Sequence, residues 1–354
     1  MIEVIPDSEK THWVNRTPES IRPYLQLSRL DRPVGYWLLT LPGWIGLAFA
    51  GLSHGLVLED LKWAALILIG AIAMRGAGCT YNDIVDQDLD AQVERTALRP
   101  LPAGTISAKQ AWIWLLMQCG IGLIVLLCLP RLAQIVSLFS IPLVAAYPFM
   151  KRITWWPQIW LGLTFNWAVL VAYSAKTGVL SPGLFLLYIG LIFWTVGYDT
   201  IYACQDIEDD TFVGIKSTAR RFGKFVKIGV FFAYAISFAF VSLAARTEIL
   251  WLYENLPQGI KAEYVIKAEY VAEALFKSYI SFGFLSPFII LLFWQVITLK
   301  PNNGRNALTR FKSNGLAGLV LIIIFWIVSS LIDNHYENYY CAHRTNLLCE
   351  IRGL

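Results

Sequence analysis

Charged residues are scarce in this chain. Asp, Glu, Lys and Arg make up 15% of the 354 residues, whereas soluble domains carry about 25%. The mean hydropathy is +0.54. Apolar runs of about 20 residues recur, which is the length that a helix needs to cross the hydrocarbon core of a bilayer. The composition therefore excludes an ordinary soluble protein and predicts an integral membrane protein.

Several other features are missing. The 4 His residues are dispersed and suggest no zinc site, and a net charge of +4 is too small and too scattered for nucleic-acid binding. Residues 1–20 are polar and mixed in charge, without the basic and apolar regions of a signal peptide. Their acidic residues also argue against a transit peptide. We therefore expect a cytoplasmic amino-terminal tail and a bacterial inner (cytoplasmic) membrane.

The apolar runs predict an all-α, polytopic membrane protein with about nine transmembrane helices. The count falls to about eight if one weak pair lies at the interface. Most of the 29 Lys and Arg residues lie on the side of the amino terminus, which places that side in the cytoplasm. The predicted organisation is a tail and entry segment (1–33), a transmembrane domain (34–333) with an outer loop (247–278), and an outer tail (334–354). The expected spans are 34–52, 60–81, 108–129, 131–150, 157–175, 180–203, 223–246, 279–298 and 315–333.

An acidic cluster follows the second predicted span. Asp83, Asp86 and Asp90 share one face at about 100° per residue, with Asn82 one turn before Asp86. Asp88 points away from this face and is expected to meet solvent. Unpaired like charges would repel one another, and a hard divalent cation that prefers oxygen ligands resolves the conflict.

A second acidic cluster follows the sixth predicted span, on the same side of the membrane. Asp199 comes first, and Asp206, Asp209 and Asp210 then share a helical face. Two carboxylate walls that face each other across a bundle would hold Mg²⁺, whose coordination shell is often completed by substrate phosphates.

Basic residues lie near both clusters. Arg favours bidentate phosphate contacts, and Lys acts as a point charge. Together with an apolar bundle, these residues suit a ligand with a diphosphate head and a long lipid tail. The competing interpretation is a pair of solvated loops that carry ordinary cytoplasmic charges. The basic residues are Arg95, Arg99, Lys151, Arg152 and Lys216.

At these residues the sequence resembles the UbiA superfamily of membrane prenyltransferases. The first cluster matches the NDxxDxxxD motif and continues into ERTALRPLPAG. The second, YDTIYACQDIEDDTFVGIKSTARRFG, is similar to the 4-hydroxybenzoate polyprenyltransferase branch. Further similarity lies in RLDRPVGYWLLTLPG, AAYPFMKRITWWPQ and NALTRFKSNGLAGLVL, so the resemblance covers about residues 24 to 333.

The resemblance implies nine helices around a central cavity that opens to lipid. It also implies Mg²⁺ held by both acidic motifs, a polyprenyl diphosphate donor and 4-hydroxybenzoate as the acceptor, alkylated ortho to its hydroxyl in ubiquinone synthesis. Loss of diphosphate leaves an allylic cation, which the ring attacks.

The resemblance and the residue chemistry together give expected roles. Asn82, Asp86, Asp206 and Asp210 are the expected metal ligands, and Asp83, Asp90 and Asp209 are further ligands or orient them. Arg95, Arg99 and Lys151 are expected to contact the diphosphate, and Arg152 and Arg32 the acceptor carboxylate. Lys216 is expected to contact either the diphosphate or the acceptor carboxylate. Tyr198 is expected to stabilise the allylic cation through its ring.

Two alternatives stay open at this point. One is a related prenyltransferase with another acceptor, such as dihydroxynaphthoate, homogentisate, haem or chlorophyllide. The other is a transporter or Mg²⁺ channel, whose acidic residues would line a path through the membrane. In the outer loop the hexapeptide IKAEYV occurs twice in tandem at 260–271, and the outer tail carries Cys341 and Cys349, whose spacing alone does not show pairing.

Overall fold

The computed structural model describes residues 12–205, 207–212, 214–255 and 280–343, and in these ranges every regular element is helical. Short 3₁₀ turns cover Trp13–Arg16 and Gly223–Phe225. The α-helices are α1 (Arg22–Leu27), α2 (Val34–His54), α3 (Asp60–Val85), α4 (Gln87–Asp90), α5 (Glu94–Ala97), α6 (Ala108–Leu127), α7 (Arg131–Leu138), α8 (Ile141–Ile153), α9 (Pro157–Phe165), α10 (Trp167–Thr177), α11 (Pro182–Ala203), α12 (Ile207–Phe212), α13 (Thr218–Phe222), α14 (Val226–Asn255), α15 (Ile280–Thr298), α16 (Gly304–Lys312) and α17 (Asn314–His343).

Seven helical segments in the described residues are long and apolar enough to cross a membrane. They confirm the all-helical, multi-pass prediction but not the count of nine. The predicted span at 157–175 is divided into α9 and α10 at Asn166, and the part of α15 whose side chains are described, Gly283–Thr298, is apolar but shorter than a full span. The buried Asn166 amide explains the division, because it donates to the Gly162 carbonyl (2.8 Å) and to Thr195 Oγ1 (2.7 Å) on α11.

Successive long helices run in alternating directions, and this places the chemistry-bearing residues. The carboxyl ends of α3, α8 and α11 meet at one end of the bundle, together with the amino ends of α2 and α14. We call this the site end. Both acidic clusters follow helices that finish there, so the alternation brings residues far apart in sequence to the same end.

Helices α11 and α14 pack against each other through three glycines spaced seven residues apart. A Cβ atom on Gly183 would lie 2.7 Å from Glu248 Oε2, one on Gly190 2.9 Å from Val241 Cγ2, and one on Gly197 2.2 Å from a ring carbon of Tyr234. Small residues at such spacing allow close approach of membrane helices. The contact fixes α11, which leads directly into the second acidic cluster.

A buried carboxylate lies at the opposite end of the bundle. Glu248 on α14 is fully buried and accepts hydrogen bonds from Ser53 Oγ (2.6 Å), Tyr173 Oη (2.5 Å) and Ser181 Oγ (2.5 Å). These donors belong to α2, α10 and the residue that caps α11. Glu248 falls within the predicted outer loop, but α14 continues to Asn255 and carries it into the core.

Only part of the predicted carboxyl-terminal organisation lies within the described residues. Helix α17 continues past the predicted end of its span at residue 333 to His343. The duplicated hexapeptide at 260–271, Cys349 and the side chain of Cys341 lie outside the described residues.

Candidate functional site

The first acidic cluster lies at the site end, where α3 gives way to α4. Asp86 separates the two helices with φ −100° and ψ 7°, so the motif is not one continuous helix. Asp83, Asp86 and Asp90 are nevertheless all buried, while Asp88 is exposed. The expected segregation of the three aspartates from Asp88 is therefore present despite the break.

Asp83 is held by two arginines. Arg29 Nη2 donates to both carboxylate oxygens, at 2.6 and 2.8 Å, and Arg99 Nη1 lies 3.5 Å from Oδ1. Desolvation, the largest single effect, lowers the pKa of the buried Arg29, but the charge of Asp83, its hydrogen bonds to Arg29 and other nearby acidic groups together raise the pKa by more, so the net shift is upward. Arg29 and Asp83 therefore form a buried ion pair between the entry segment and α3.

Asp86 has a different pair of partners. Its carboxylate accepts a short hydrogen bond from Lys151 Nζ and one of 2.7 Å from Arg152 Nη2. The Asp86 side chain is fully buried, while those of Lys151 and Arg152 are 25% and 42% exposed. Arg152, expected at the acceptor carboxylate, thus shares the Asp86 carboxylate with Lys151.

Asp90 completes the buried set. Its Oδ2 accepts a hydrogen bond of 2.8 Å from Arg99 Nη1. Burial raises the pKa of Asp90 above its usual value, and the nearby Arg99 charge opposes that shift. Arg99 therefore bridges Asp83 and Asp90, which places one of the expected diphosphate contacts inside the acidic cluster.

The segment after the second acidic cluster packs against the end of α8. The backbone N–H of Lys216 donates to the Lys151 carbonyl (3.0 Å), and Lys216 Nζ donates to the Ile153 carbonyl (3.1 Å). Lys151 is the partner of Asp86, so the segment that follows the second motif reaches the first motif through α8. Asp206 and the side chains of Arg95, Asp209 and Asp210 lie outside the described residues.

Tyr198 and Arg32 were also expected to contact the substrates. Tyr198 is buried on α11 between Trp194 and Phe311, with ring centroids 5.4 and 5.9 Å away, and its hydroxyl accepts from Thr195 Oγ1 at 3.1 Å. Arg32 Nε lies 3.5 Å from the fully buried carboxylate of Asp31.

Two arginines received no role from the sequence. Arg75 lies within the apolar part of α3. An ionisable residue inside a membrane span is a functional candidate by default, so the sequence alone could have identified Arg75. Its guanidinium carbon lies 5.2 Å from the Phe165 ring centroid, and no carboxylate among the described residues forms an ion pair with it. Arg29 lies in the predicted tail and entry segment (1–33), and its pairing with Asp83 has no local sequence signal.

The donor chemistry of the cluster fits a hard divalent cation. Asn82 and Asp86 offer amide and carboxylate oxygens one helical turn apart, which is the ligand type that Mg²⁺ prefers. Within the described residues no group of three or more His, Cys, Asp or Glu side chains is close enough to hold a metal. A site with more protein ligands would therefore need the second cluster, whose aspartate side chains are outside those residues.

The UbiA prenyltransferase family model matches residues 38–256. The chain belongs to this family. It is 42% identical to the mitochondrial 4-hydroxybenzoate polyprenyltransferase of Arabidopsis thaliana over 69% of this chain, and 49% identical to that of Homo sapiens over 60%. These alignments span 60% and 57% of the two relatives, so the chain matches somewhat less than two thirds of their length.

Solved structures show the UbiA fold. A UbiA homologue from Archaeoglobus fulgidus bound to GPP and Mg²⁺ superposes with a TM-score of 0.54, at 20% identity, over 87% of this chain and 99% of that one. The fold class expected from the sequence is thus confirmed, and a divalent metal occurs in the family.

The expected bacterial inner membrane is wrong. The relatives from plant, human and other eukaryotic sources carry mitochondrial names. The expectation rested on the polar, mixed-charge composition of residues 1–20, and that composition does not decide the compartment.

Proposed function

We propose that this protein transfers a polyprenyl group from a polyprenyl diphosphate to 4-hydroxybenzoate, ortho to the hydroxyl, in ubiquinone biosynthesis in a mitochondrial membrane. The names of the relatives support this acceptor and compartment. The observation that carries the proposal is the buried Asp86 carboxylate, bound by Lys151 and Arg152 at one end of an apolar helical bundle. A site of this kind accommodates a charged diphosphate head beside a lipid tail.

The donor diphosphate would lie among Arg99, Lys151 and Lys216, with Arg95 as a further contact. These cations stabilise the charge that develops on the diphosphate as the C–O bond of the donor breaks. Asn82, Asp86, Asp206 and Asp210, supported by Asp90 and Asp209, would hold Mg²⁺, which when bound neutralises further charge on the leaving group. Lys151 and Arg152 are partly exposed, so both can shift from Asp86 toward a bound diphosphate.

Arg75 is the best-placed partner for the acceptor carboxylate. It lies on the same helix as the first acidic cluster, deeper in the apolar bundle, and its Nε is buried without a hydrogen-bond partner. A planar guanidinium binds a carboxylate in bidentate fashion, and the Phe165 ring beside it offers an apolar face to the acceptor ring. Arg152 and Arg32, the original candidates, lie at Asp86 and Asp31 instead.

The carbon–carbon bond forms when the ring carbon ortho to the hydroxyl attacks the allylic cation. Loss of the ring proton then restores aromaticity, which needs no strong base. Tyr198 and Trp194 lie on α11 just before the second acidic cluster, and Phe311 packs against Tyr198 from α16; the π faces of these rings are suited to stabilise the cation.

The test is prenyl transfer by the protein in membranes, with Mg²⁺, a polyprenyl diphosphate and one labelled acceptor at a time. We expect a lipid-soluble product from 4-hydroxybenzoate that disappears with EDTA, and little from dihydroxynaphthoate or homogentisate. A preference for either of those rings would refute the proposed acceptor. Arg75→Gln should raise KM for 4-hydroxybenzoate by roughly tenfold or more with a much smaller change in KM for the donor, and an unchanged acceptor KM would refute the role of Arg75.

A further inference from the structure

Arg29 adopts an unusual backbone conformation. Its φ of 57° makes it the one described non-glycine residue with a positive φ. The left-handed region costs an ordinary residue about 1–2 kcal/mol, and such residues persist where the surrounding structure fixes them. Here the fixing contacts are visible: Arg29 Nη1 donates to the Gln26 carbonyl (3.1 Å), and Nη2 donates to Asp83.

The residue before Arg29 is anchored independently. Ser28 Oγ accepts a hydrogen bond from Trp114 Nε1 (2.7 Å) and donates to Gln118 Oε1 (3.1 Å), and the Gln118 amide donates to Thr80 Oγ1 on α3 (3.3 Å). Two helices thus hold the turn that carries Arg29, α6 directly through Trp114 and Gln118, and α3 indirectly through the Gln118–Thr80 hydrogen bond. The left-handed turn aims the guanidinium at α3 rather than at solvent.

Asp83 has little capacity left for a metal ion. Both of its oxygens accept from Arg29, a second guanidinium lies 3.5 Å away, and the side chain is almost fully buried. Asp86 differs, because its partners Lys151 and Arg152 are partly exposed and therefore displaceable. The two aspartates of one motif are thus in different environments.

Arg99 contacts both Asp90, at 2.8 Å, and Asp83, at 3.5 Å. Its Nη1 lies between Asp83 and Asp90, while its Nε is buried without a partner. A buried guanidinium donor without an acceptor costs free energy unless a ligand supplies one. The oxygens of a diphosphate are suitable acceptors for such a donor.

We propose that Asp83 is a positioning residue for the diphosphate and not a metal ligand. The Arg29–Asp83 pair fixes Arg99 so that its unpartnered donor faces the diphosphate of a prenyl donor. This inference rests on the proposed function for the identity of the diphosphate ligand. It departs from the sequence-based expectation that Asp83 is a further metal ligand or orients one.

The test separates metal binding from diphosphate binding in the purified full chain. Mn²⁺ binding without donor is measured by electron paramagnetic resonance, and binding of geranyl S-thiolodiphosphate, a slowly reacting diphosphate analogue, is measured by calorimetry in the presence of Mn²⁺. The variants are Asp83→Asn and Asp86→Asn, with Asp88→Asn as the matched control because Asp88 is the exposed aspartate of the same cluster. Thermal unfolding confirms that each variant is folded.

We expect Asp83→Asn to keep the Mn²⁺ affinity of the wild type within about threefold and to weaken analogue binding by roughly tenfold or more. Asp86→Asn should lose Mn²⁺ affinity, and Asp88→Asn should change neither. Loss of Mn²⁺ affinity in Asp83→Asn comparable with that in Asp86→Asn would overturn the proposal, as would unchanged analogue binding.

A second variant covers the case in which Asp83→Asn does not fold. Arg29→Gln alone should weaken analogue binding by roughly tenfold or more and keep the Mn²⁺ affinity within about threefold, and unchanged analogue binding would overturn the proposal. Where Asp83→Asn folds, the double variant should be no worse than either single one, because both residues act through one pair. Additive losses would overturn the proposal. Wild type that binds the analogue without prenylating 4-hydroxybenzoate would refute the proposed acceptor and leave the assignment of Asp83 supported. Wild type that binds no analogue would overturn both.

Discussion

Removal of the buried carboxylate of Glu248 should destabilise the bundle from the end opposite the site. Glu248→Ala deletes the acceptor of three hydroxyl hydrogen bonds, from Ser53, Tyr173 and Ser181. A buried hydroxyl donor left without its acceptor costs about 1.5 kcal/mol, so the loss for the three donors is about 4–5 kcal/mol. Since about 1 kcal/mol shifts Tm by about 2–4 °C in chains of 150–250 residues, we expect a decrease of roughly 8 °C or more.

Glu248→Gln is the graded version of this change. The Gln carbonyl oxygen can still accept from Ser53 and Tyr173, which both contact Oε1. The amide nitrogen replaces Oε2, and Ser181 loses its acceptor while its Oγ still accepts from the Leu184 N–H (3.1 Å). One lost hydrogen bond predicts about 1.5 kcal/mol, or a decrease in Tm of roughly 3 °C.

The assay is thermal unfolding of the purified protein in detergent, followed by the fluorescence of its 14 Trp residues. The matched control is Glu59→Gln, because Glu59 is an exposed glutamate whose ion pair with Lys62 at 3.7 Å is also exposed. An exposed pair contributes little, so this variant should unfold with the wild type. If Glu248→Ala also unfolded within about 1 °C of the wild type, the reasoning from buried hydrogen bonds would be refuted.

Two further predictions concern packing and the donor site. Gly197→Ala should lower Tm by several degrees, because the new Cβ would overlap the Tyr234 ring. The control is Gly120→Ala on α6, where a Cβ would meet no atom within 4 Å, and this variant should leave Tm unchanged or raise it. Equal Tm values for the two variants would contradict the close approach of α11 and α14. Lys151→Gln should raise KM for the polyprenyl diphosphate by roughly tenfold. The control is Lys109→Gln, which changes an exposed lysine at the start of α6 and should leave this KM unchanged. Equal KM values for the donor in the two variants would refute a diphosphate contact at Lys151.

Local periodicity predicted part of this architecture correctly. The 3.6-residue repeat separated the three buried aspartates from the exposed Asp88 although α3 ends before Asp86. The apolar runs gave the positions of the long helices, because length and hydropathy are local properties. The family motifs predicted which residues carry the chemistry, and that assignment stays a prediction.

Features that depend on distant partners were not predictable from the sequence. The division at Asn166 follows from hydrogen bonds that include Thr195 on α11. Glu248 was assigned to an outer loop because its three hydroxyl partners are distant in sequence, and no residue near Glu248 indicates that it is buried. The pairing of Arg29 with Asp83 joins residues 54 positions apart and depends on a left-handed turn that sequence patterns do not reveal.

The central claim is that a site centred on Asp86 transfers a prenyl group to 4-hydroxybenzoate. The most direct test is the transfer of label from ring-labelled 4-hydroxybenzoate into the lipid extract by wild type, Asp86→Asn and Asp88→Asn, prepared and assayed side by side. The account predicts labelled lipid from wild type and Asp88→Asn, and a loss of roughly a hundredfold or more in Asp86→Asn, as expected when a group that supports leaving-group stabilisation is removed. Near-normal transfer by folded Asp86→Asn, or no labelled lipid from the wild type with several donor lengths, would contradict it.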